Sequence, residues 1–258
     1  SYGGGTKNGP KEIIKASHQV ELYDEELKCE PYKKIGIKTL KPSKIDKNIN
    51  KAINQIAKIN KEVLDNKLFP LTLGGEHSIT PGCIMPFVKK YKKLTLLHFD
   101  AHADLRESYA GEKFSHASAI KRCMDYNNVS VVSFGIRNIS ADEIPILNKN
   151  KKRINIYWAK DKKNWDLKKF KNLIKNKDVY ITFDVDGLDS SIMPATGTPE
   201  PGGIFWDEAL EIIRIACKNS RIVGADVNEL APINGFHSYN FLVAKLVYKI
   251  LSYKFLLK

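Results

Sequence analysis

The sequence contains few cysteines, few arginines and no long apolar run, and each shortage excludes a class of protein. Its four cysteines lie far apart and form no Cys-x-x-Cys pair, so we expect reduced thiols in a cytoplasmic protein, not a disulfide framework or a zinc ribbon. No apolar stretch approaches the ~18 residues of a membrane-spanning helix, and we expect no membrane partner. No signal peptide is visible, although the chain begins with Ser1 and not with methionine, so we expect its natural start to lie upstream.

The formal net charge of +13 raises the question of a nucleic-acid partner. Only six of the 42 basic residues are arginines, whereas phosphate and base recognition favours the forked guanidinium group of arginine. The lysines are also dispersed along the chain, and they are denser only in a few short segments. We therefore interpret the excess as a lysine-rich solvated surface and expect no nucleic-acid partner.

Apolar strand patterns alternate with amphipathic helix patterns along most of the 258 residues. This alternation predicts an α/β fold with a mostly parallel sheet covered by helices on both faces. One strand is predicted from the alternation over residues 35–40, and an amphipathic helix is predicted to begin at Pro42 and Ser43. No linker or repeat divides the chain, so we predict a single domain over residues 1–258.

One apolar run ends in three residues of the kinds that bind metals. It reads Leu-Leu-His-Phe-Asp-Ala-His-Ala-Asp and delivers Asp100, His102 and Asp104. In an extended chain, residues two apart point the same way and lie ~7 Å apart. Because carboxylates on one face repel each other unless a cation neutralises them, this spacing indicates a metal site more than a solvated strand end.

Two further predicted strands are also followed by residues of the kinds that bind metals. The apolar run before Asp184 delivers that residue and Asp186, and Gly-Gly-Glu-His-Ser places His77 after another strand. The carboxyl ends of parallel strands meet at one edge of a sheet, where α/β proteins bind ligands. Four carboxylates exceed what one divalent cation needs, so this set predicts two bridged metals, for which manganese is the best match.

Six motifs carry a family resemblance, and they occur in order between about residues 4 and 232. They are Gly-Gly-Glu-His-Ser, Phe-Asp-Ala-His-Ala-Asp, Ser-His-Ala-Ser, Phe-Asp-Val-Asp-Gly-Leu-Asp, Gly-Thr-Pro-Glu-Pro-Gly-Gly and Asp-Val-Asn-Glu-Leu. Together they resemble the ureohydrolase family, which includes arginase, agmatinase and guanidinobutyrase. The resemblance implies an arginase-like, three-layer domain with about eight strands. The chain starts inside a Tyr-x-x-Gly-Thr-x-x-Gly-Pro region of the family pattern. The strand that usually precedes this region is absent, so we expect an incomplete sheet edge or site loop.

The resemblance implies two Mn²⁺ ions per subunit that share two carboxylates. The residues expected to bind one ion are His77, Asp100, Asp104 and Asp184. The residues expected to bind the other are Asp100, His102, Asp184 and Asp186. His98 has the same strand parity as these ligands, but the family pattern gives it no role.

The resemblance also implies roles in catalysis. Asp104 would orient a metal-bridging hydroxide, Glu229 would pair with the substrate guanidinium, and His116 would help to protonate the departing amine. From each residue alone, the favoured interpretation of Glu229 is a strand-end surface carboxylate, and that of His116 is a structural residue at a helix start. Asn228 stands where a valine is common, and we expect it to make a polar contact near Glu229.

Two features are agmatinase-like and not arginase-like: the Phe-Ser-His-Ala-Ser segment around His116, and Glu200, an expected extra contact for a cationic substrate. The resemblance therefore implies hydrolysis of agmatine to putrescine and urea, as in polyamine biosynthesis, by a homo-oligomer of three or six subunits. Alternatives are guanidinobutyrate or arginine as substrate, a deacetylase sharing the fold, or a non-catalytic basic binding protein. A deacetylase is disfavoured because that class uses one zinc and fewer carboxylates.

Overall fold

Six parallel strands form the central sheet of the computed structural model, which describes residues 2–257. The strands are β1 (Leu71–Leu73), β2 (Leu94–Phe99), β3 (Val129–Phe134), β4 (Ile154–Tyr157), β5 (Asp178–Asp184) and β6 (Arg221–Asn228). Their order is β1-β6-β5-β2-β3-β4, and all neighbours are parallel. Helices cover both faces of such a sheet, which explains why every residue of β2 is buried.

Helices on the two faces complete three layers. Those described are α1 (Gly9–Ser17), α2 (Pro31–Ile35), α3 (Ile49–Asp65), α4 (Thr80–Lys90), α5 (Ala119–Met124), α6 (Ile144–Lys149), α7 (Leu167–Ile174), α8 (Trp206–Asn219) and α9 (Ser238–Leu256). Between residues 2 and 257, none has the length and apolar content that crossing a bilayer requires.

Side chains of the central strands alternate between two hydrophobic clusters, one on each face. Leu97 and Phe99 of β2 pack into the cluster that also contains residues of α7, α8 and α9. Leu94 and Leu96 of the same strand pack into the cluster that contains residues of α3, α4 and α5. This period of two agrees with the predicted three-layer architecture.

The sheet has six strands within the described residues, not the eight or so that we expected. The predicted strand over residues 35–40 does not form, because α2 ends at Ile35 and the following segment has no strand partner in this part of the chain. Ile37 and Leu40 are exposed there. An alternating pattern forms a strand only where another strand is available for backbone pairing.

The predicted helix at Pro42 begins later, at Ile49. Asn48 caps it, with its side-chain oxygen accepting a hydrogen bond from the Lys51 amide at 3.2 Å. Ile45 remains outside the helix and is exposed. The cap therefore decides the boundary, and the apolar spacing does not.

A close backbone approach between the ends of β5 and β2 positions the metal-type side chains. Gly187 follows β5, and a Cβ atom added to it would lie 2.7 Å from the amide nitrogen of Asp100 and 3.1 Å from its Cα. Only a residue without a side chain permits this approach. The contact sets Asp100 beside Asp184 and Asp186.

We predict that Gly187→Ala lowers the free energy of unfolding by about 1–3 kcal/mol, because the added methyl group forces two backbones apart. Chemical denaturation would measure this. Gly4→Ala is the matched control, since no heavy atom lies within 4 Å of the Cβ position at Gly4. Equal stability of the two variants would contradict the packing account.

Candidate metal centre

Three strand ends bring the predicted metal ligands together at the carboxyl edge of the sheet. Asp100 directly follows β2, Asp184 ends β5, and His77 lies four residues after the end of β1. The short 3-10 helix Val185–Gly187 contains Asp186. The sequence motifs therefore meet in space as their positions after parallel strands predict.

The first group is centred on the Nδ1 atom of His77. This atom lies 3.0 Å from Asp100 Oδ2, 3.0 Å from Asp104 Oδ2 and 3.6 Å from Asp184 Oδ2. All four side chains are buried. They are the residues that the resemblance assigns to one metal ion.

The second group is centred on the Nδ1 atom of His102. It lies 3.0 Å from Asp186 Oδ2 and 3.4 Å from Asp100 Oδ1. Asp100 therefore presents one oxygen atom to each group, as a bridging carboxylate would. The place of Asp184 in the second group stays a prediction.

The protonation behaviour of the two histidines reflects the surplus of negative charge. Burial disfavours the charged form of His77, yet contacts with Asp100 and Asp104 raise its pKa well above the usual value. Burial likewise opposes protonation of His102, but Asp100 and Asp186 raise its pKa to about 12. Without a metal, bound protons neutralise part of the negative charge of these carboxylates.

The carboxylates respond to the same crowding. Burial and the nearby charge of Asp100 raise the pKa of Asp104 to about 7. Burial, together with Asp186 and Asp100, raises the pKa of Asp184 well above its usual value. Asp100 differs: burial opposes its ionisation, but the adjacent imidazoles of His102, His77 and His98 hold its pKa well below normal.

This donor set fits divalent cations. The Nδ1 atom of His77 is buried and has no hydrogen-bond partner, although two carboxylate oxygens lie 3.0 Å away. A buried ring nitrogen that faces carboxylates without a hydrogen bond is the arrangement that a shared cation would complete. Imidazole and carboxylate ligands together suit manganese, iron, cobalt or zinc.

His98, to which the family pattern assigns no role, contacts the cluster of metal-type side chains. Its Nε2 atom lies 2.9 Å from Asp100 Oδ2, and its Nδ1 atom lies 3.0 Å from the Ser133 hydroxyl. A neutral ring that accepts from Ser133 donates to Asp100 and fixes that carboxylate. Its strand parity was the only signal in the sequence that could have indicated this contact.

A buried hydrogen-bond network supports His77 from the other side. Its Nε2 atom lies 2.8 Å from the Thr182 hydroxyl, which donates to Asp226 Oδ1 at 2.7 Å. Asn228 donates to the same oxygen at 2.6 Å. The polar contact expected for Asn228 near Glu229 is therefore made with Asp226, because alternate residues of β6 face the same side.

Glu229 lies beside the cluster, and one of its two carboxylate oxygens has no hydrogen-bond partner. Its Oε1 atom accepts a hydrogen bond from the His77 amide at 2.7 Å, whereas its Oε2 atom is buried without a partner. Burial raises the pKa of Glu229 to about 8. Its backbone φ of 66° and that of Asp104, 52°, lie in the left-handed region. Such conformations are uncommon outside glycine and cluster at functional sites.

His116 begins a short 3-10 helix and lies near the cluster. Its Nδ1 atom is 3.9 Å from Glu76 Oε1, and its ring meets the Tyr109 ring edge-on at 5.6 Å between centroids. Burial lowers the pKa of His116, which favours its neutral form. Its position is compatible with the proton-transfer role, which stays a prediction.

A cavity of about 190 Å³ opens above these groups. Its lining includes the predicted residues His77, His102, Asp104, His116, Asp184, Asp186 and Glu229. Glu200 is not part of this lining. Its Oε1 atom instead accepts a hydrogen bond at 2.7 Å from Asn138, which does line the cavity.

Comparisons with known proteins support the family resemblance. A model of the arginase family matches residues 1–252. The chain is similar to N(1)-aminopropylagmatine ureohydrolase from Synechocystis sp., with 34% identity over 98% of this chain and 84% of the relative. It is similar to agmatinase from Bacillus anthracis, with 36% identity over 90% of this chain and 80% of the relative.

A solved structure of a related protein has the same fold. Agmatine ureohydrolase of Thermoplasma volcanium superposes with a TM-score of 0.87 at 28% identity, covering 98% of this chain and 85% of that one. The family resemblance and the α/β fold predicted from the motifs are thus confirmed.

We predict that Asp184→Asn weakens Mn²⁺ binding by at least about 10-fold, because it removes a charge from the buried ligand set. Isothermal titration and elemental analysis of the purified protein would measure this. Asp178→Asn, at the opposite end of the same strand, is the control and should bind metal normally. Unchanged metal binding in Asp184→Asn would count against the ligand assignment.

The metal-free protein should become less stable as the pH rises from about 5 to 8. Asp104 and Glu229 have folded-state pKa values of about 7 and 8, against ordinary values of 3.8 and 4.5. The folded state therefore binds more protons than the unfolded state across this window, and that stabilisation disappears as the protons leave. Thermal unfolding at several pH values would measure the trend.

The control for this trend is Glu229→Gln, which should show a shallower slope because its amide does not titrate. Added Mn²⁺ should stabilise the protein more at high pH, where the carboxylates are deprotonated. A melting temperature of the metal-free protein that increases with pH across the window would contradict the account.

Proposed function

We propose that this chain, which belongs to the arginase family and is a ureohydrolase, hydrolyses agmatine to putrescine and urea. The observation that carries the proposal is the free Oε2 atom of Glu229. It is a buried carboxylate oxygen without a partner, beside the metal-type cluster and facing a cavity. A guanidinium group is the complementary ligand, because it offers paired N–H donors and a positive charge to a carboxylate.

We propose that two Mn²⁺ ions occupy the two groups around His77 and His102. Bound there, they would supply the Lewis acidity that generates a nucleophile from water at neutral pH. Asp100 has an oxygen atom in each group and would be shared between the ions. The excess of carboxylates over imidazoles supports manganese over the softer metals.

The protein's own groups would perform three tasks around the guanidinium. Glu229 would hold it, with Oε1 fixed by the His77 amide and Oε2 left to accept its N–H groups. Asp104 would accept a hydrogen bond from the attacking water and so orient it. His116, neutral at rest, would take up the proton that the attacking water releases and deliver it to the departing amine.

The relatives support agmatine or a longer cationic guanidine, since they are named for agmatine and N(1)-aminopropylagmatine. Guanidinobutyrate and arginine remain the alternative substrates. We also propose a homo-oligomer of three or six subunits in the cytoplasm, as the family resemblance implies.

We predict that the Mn²⁺-loaded protein releases urea from agmatine with a higher kcat/KM than from guanidinobutyrate or arginine. Glu229→Gln should lower kcat/KM by about 10- to 100-fold, because hydrogen bonds to charged groups contribute about 1.5–3 kcal/mol. A urea assay with all three substrates and N(1)-aminopropylagmatine would measure this.

The matched control is Glu112→Gln, an exposed glutamate outside the cavity lining, which should keep full activity. If the Mn²⁺-loaded wild-type protein releases no urea from any of the four compounds, the proposed function is wrong.

A further inference from the structure

The outer part of the cavity contains one asparagine whose backbone and side chain are both fixed. The Asn138 amide donates to Ala101 O at 2.9 Å, and Asn138 O accepts from the Ala103 amide at 3.2 Å. These bonds tie Asn138 to the segment that carries the metal-type residues. Its side chain lines the cavity and is exposed.

Glu200 orients the side-chain amide of Asn138. Asn138 Nδ2 donates to Glu200 Oε1 at 2.7 Å. A carboxylate only accepts hydrogen bonds, so a flipped amide would face it with its own carbonyl oxygen and be repelled. The Nδ2 group is therefore committed to Glu200, and Oδ1 is the atom left to bind a ligand.

Arg137 in turn fixes Glu200. Its guanidinium donates to Glu200 O at 2.7 Å and to Asp186 O at 2.7 Å. It therefore clamps the loop that carries Glu200 to the loop that follows β5. The position of the Asn138 amide is set relative to the metal-type cluster and not by a mobile surface chain.

No described residue donates a hydrogen bond to Asn138 Oδ1. An acceptor oxygen backed by a carboxylate is complementary to an ammonium group and repels a carboxylate. We propose that Asn138 Oδ1 binds the distal ammonium of the substrate, with Glu200 as the residue that positions it. This inference rests on the proposed function and narrows its substrate class to guanidines with a cationic tail.

Arg106 is the one arginine or lysine among the described residues that line the cavity, and it could have favoured an acidic tail. Its guanidinium group lies 3.7 Å from Asp142 and over the Tyr109 ring, 5.4 Å from the centroid. It thus already has an anionic and an aromatic partner. Glu229 and the backing carboxylate of Glu200 add negative charge on the substrate's path, which favours a second positive charge.

Asn138→Leu tests the contact directly. We expect KM for agmatine to rise about 10-fold, as for loss of a hydrogen bond to a charged group, with kcat within about 2-fold. For guanidinobutyrate, KM should stay the same or fall. Equal losses with both substrates would indicate a structural role and overturn the proposal.

A double-mutant cycle tests the positioning role of Glu200. Glu200→Ala should raise KM for agmatine in the wild-type protein but add less than about 2-fold in the Asn138→Leu background. An undiminished effect in that background would show that Glu200 does not act through Asn138. Asp207→Asn removes an exposed charge outside the lining and is the control.

Titration calorimetry with Mn²⁺-loaded protein separates this proposal from the proposed function. Agmatine should bind more tightly than guanidinobutyrate, and Asn138→Leu should abolish that preference; Asn138→Ala serves if the leucine variant does not fold. Selective binding without urea release would contradict the hydrolase and support the ammonium site. Urea release with tighter binding of guanidinobutyrate would do the reverse, and binding of neither compound would overturn the ammonium site.

Discussion

The mutual repulsion of buried carboxylates is the constraint around which this protein is built. Asp100, Asp104, Asp184 and Asp186 are packed with two imidazoles where solvent screens them little. Such a cluster is tolerable only if protons or cations neutralise it. The close approach at Gly187 brings these groups together, and His98 and Thr182 orient two of them. The repulsion among these carboxylates therefore lowers the stability of the metal-free fold, and the surrounding contacts keep the side chains together in spite of it.

Two simple regularities of parallel sheets bear on how far the meeting of the metal-type side chains could be predicted from local sequence. Residues two apart in a strand face the same side, and the carboxyl ends of parallel strands share one edge. The second rule predicts that Asp100, Asp184 and His77 meet at one edge of the sheet. The first rule does not extend to His102 and Asp104, because β2 ends at Phe99 and Asp104 has a left-handed φ of 52°. Neither rule requires knowledge of side-chain partners. The same is true of the alternation of strand and helix patterns, which predicts the α/β class.

The remaining features depend on partners that are distant in the chain. The alternation over residues 35–40 could not show that no strand pairs with it, and the start of α3 was set by the Asn48 cap. The motif predicts that Glu200 contacts substrate. In the structure its side chain accepts a hydrogen bond from Asn138, which is 62 residues away in sequence and lines the cavity. The motif contains Glu200, but nothing in the local sequence indicates that Asn138 is its hydrogen-bond partner.

The most direct measurement is anomalous X-ray diffraction, at the manganese absorption edge, from crystals grown with Mn²⁺. We expect two peaks about 3.5–4 Å apart, one beside His77 Nδ1 and the other beside His102 Nδ1, with Asp100 between them. A single peak, no peak, or peaks away from these six side chains would contradict a centre of two cations.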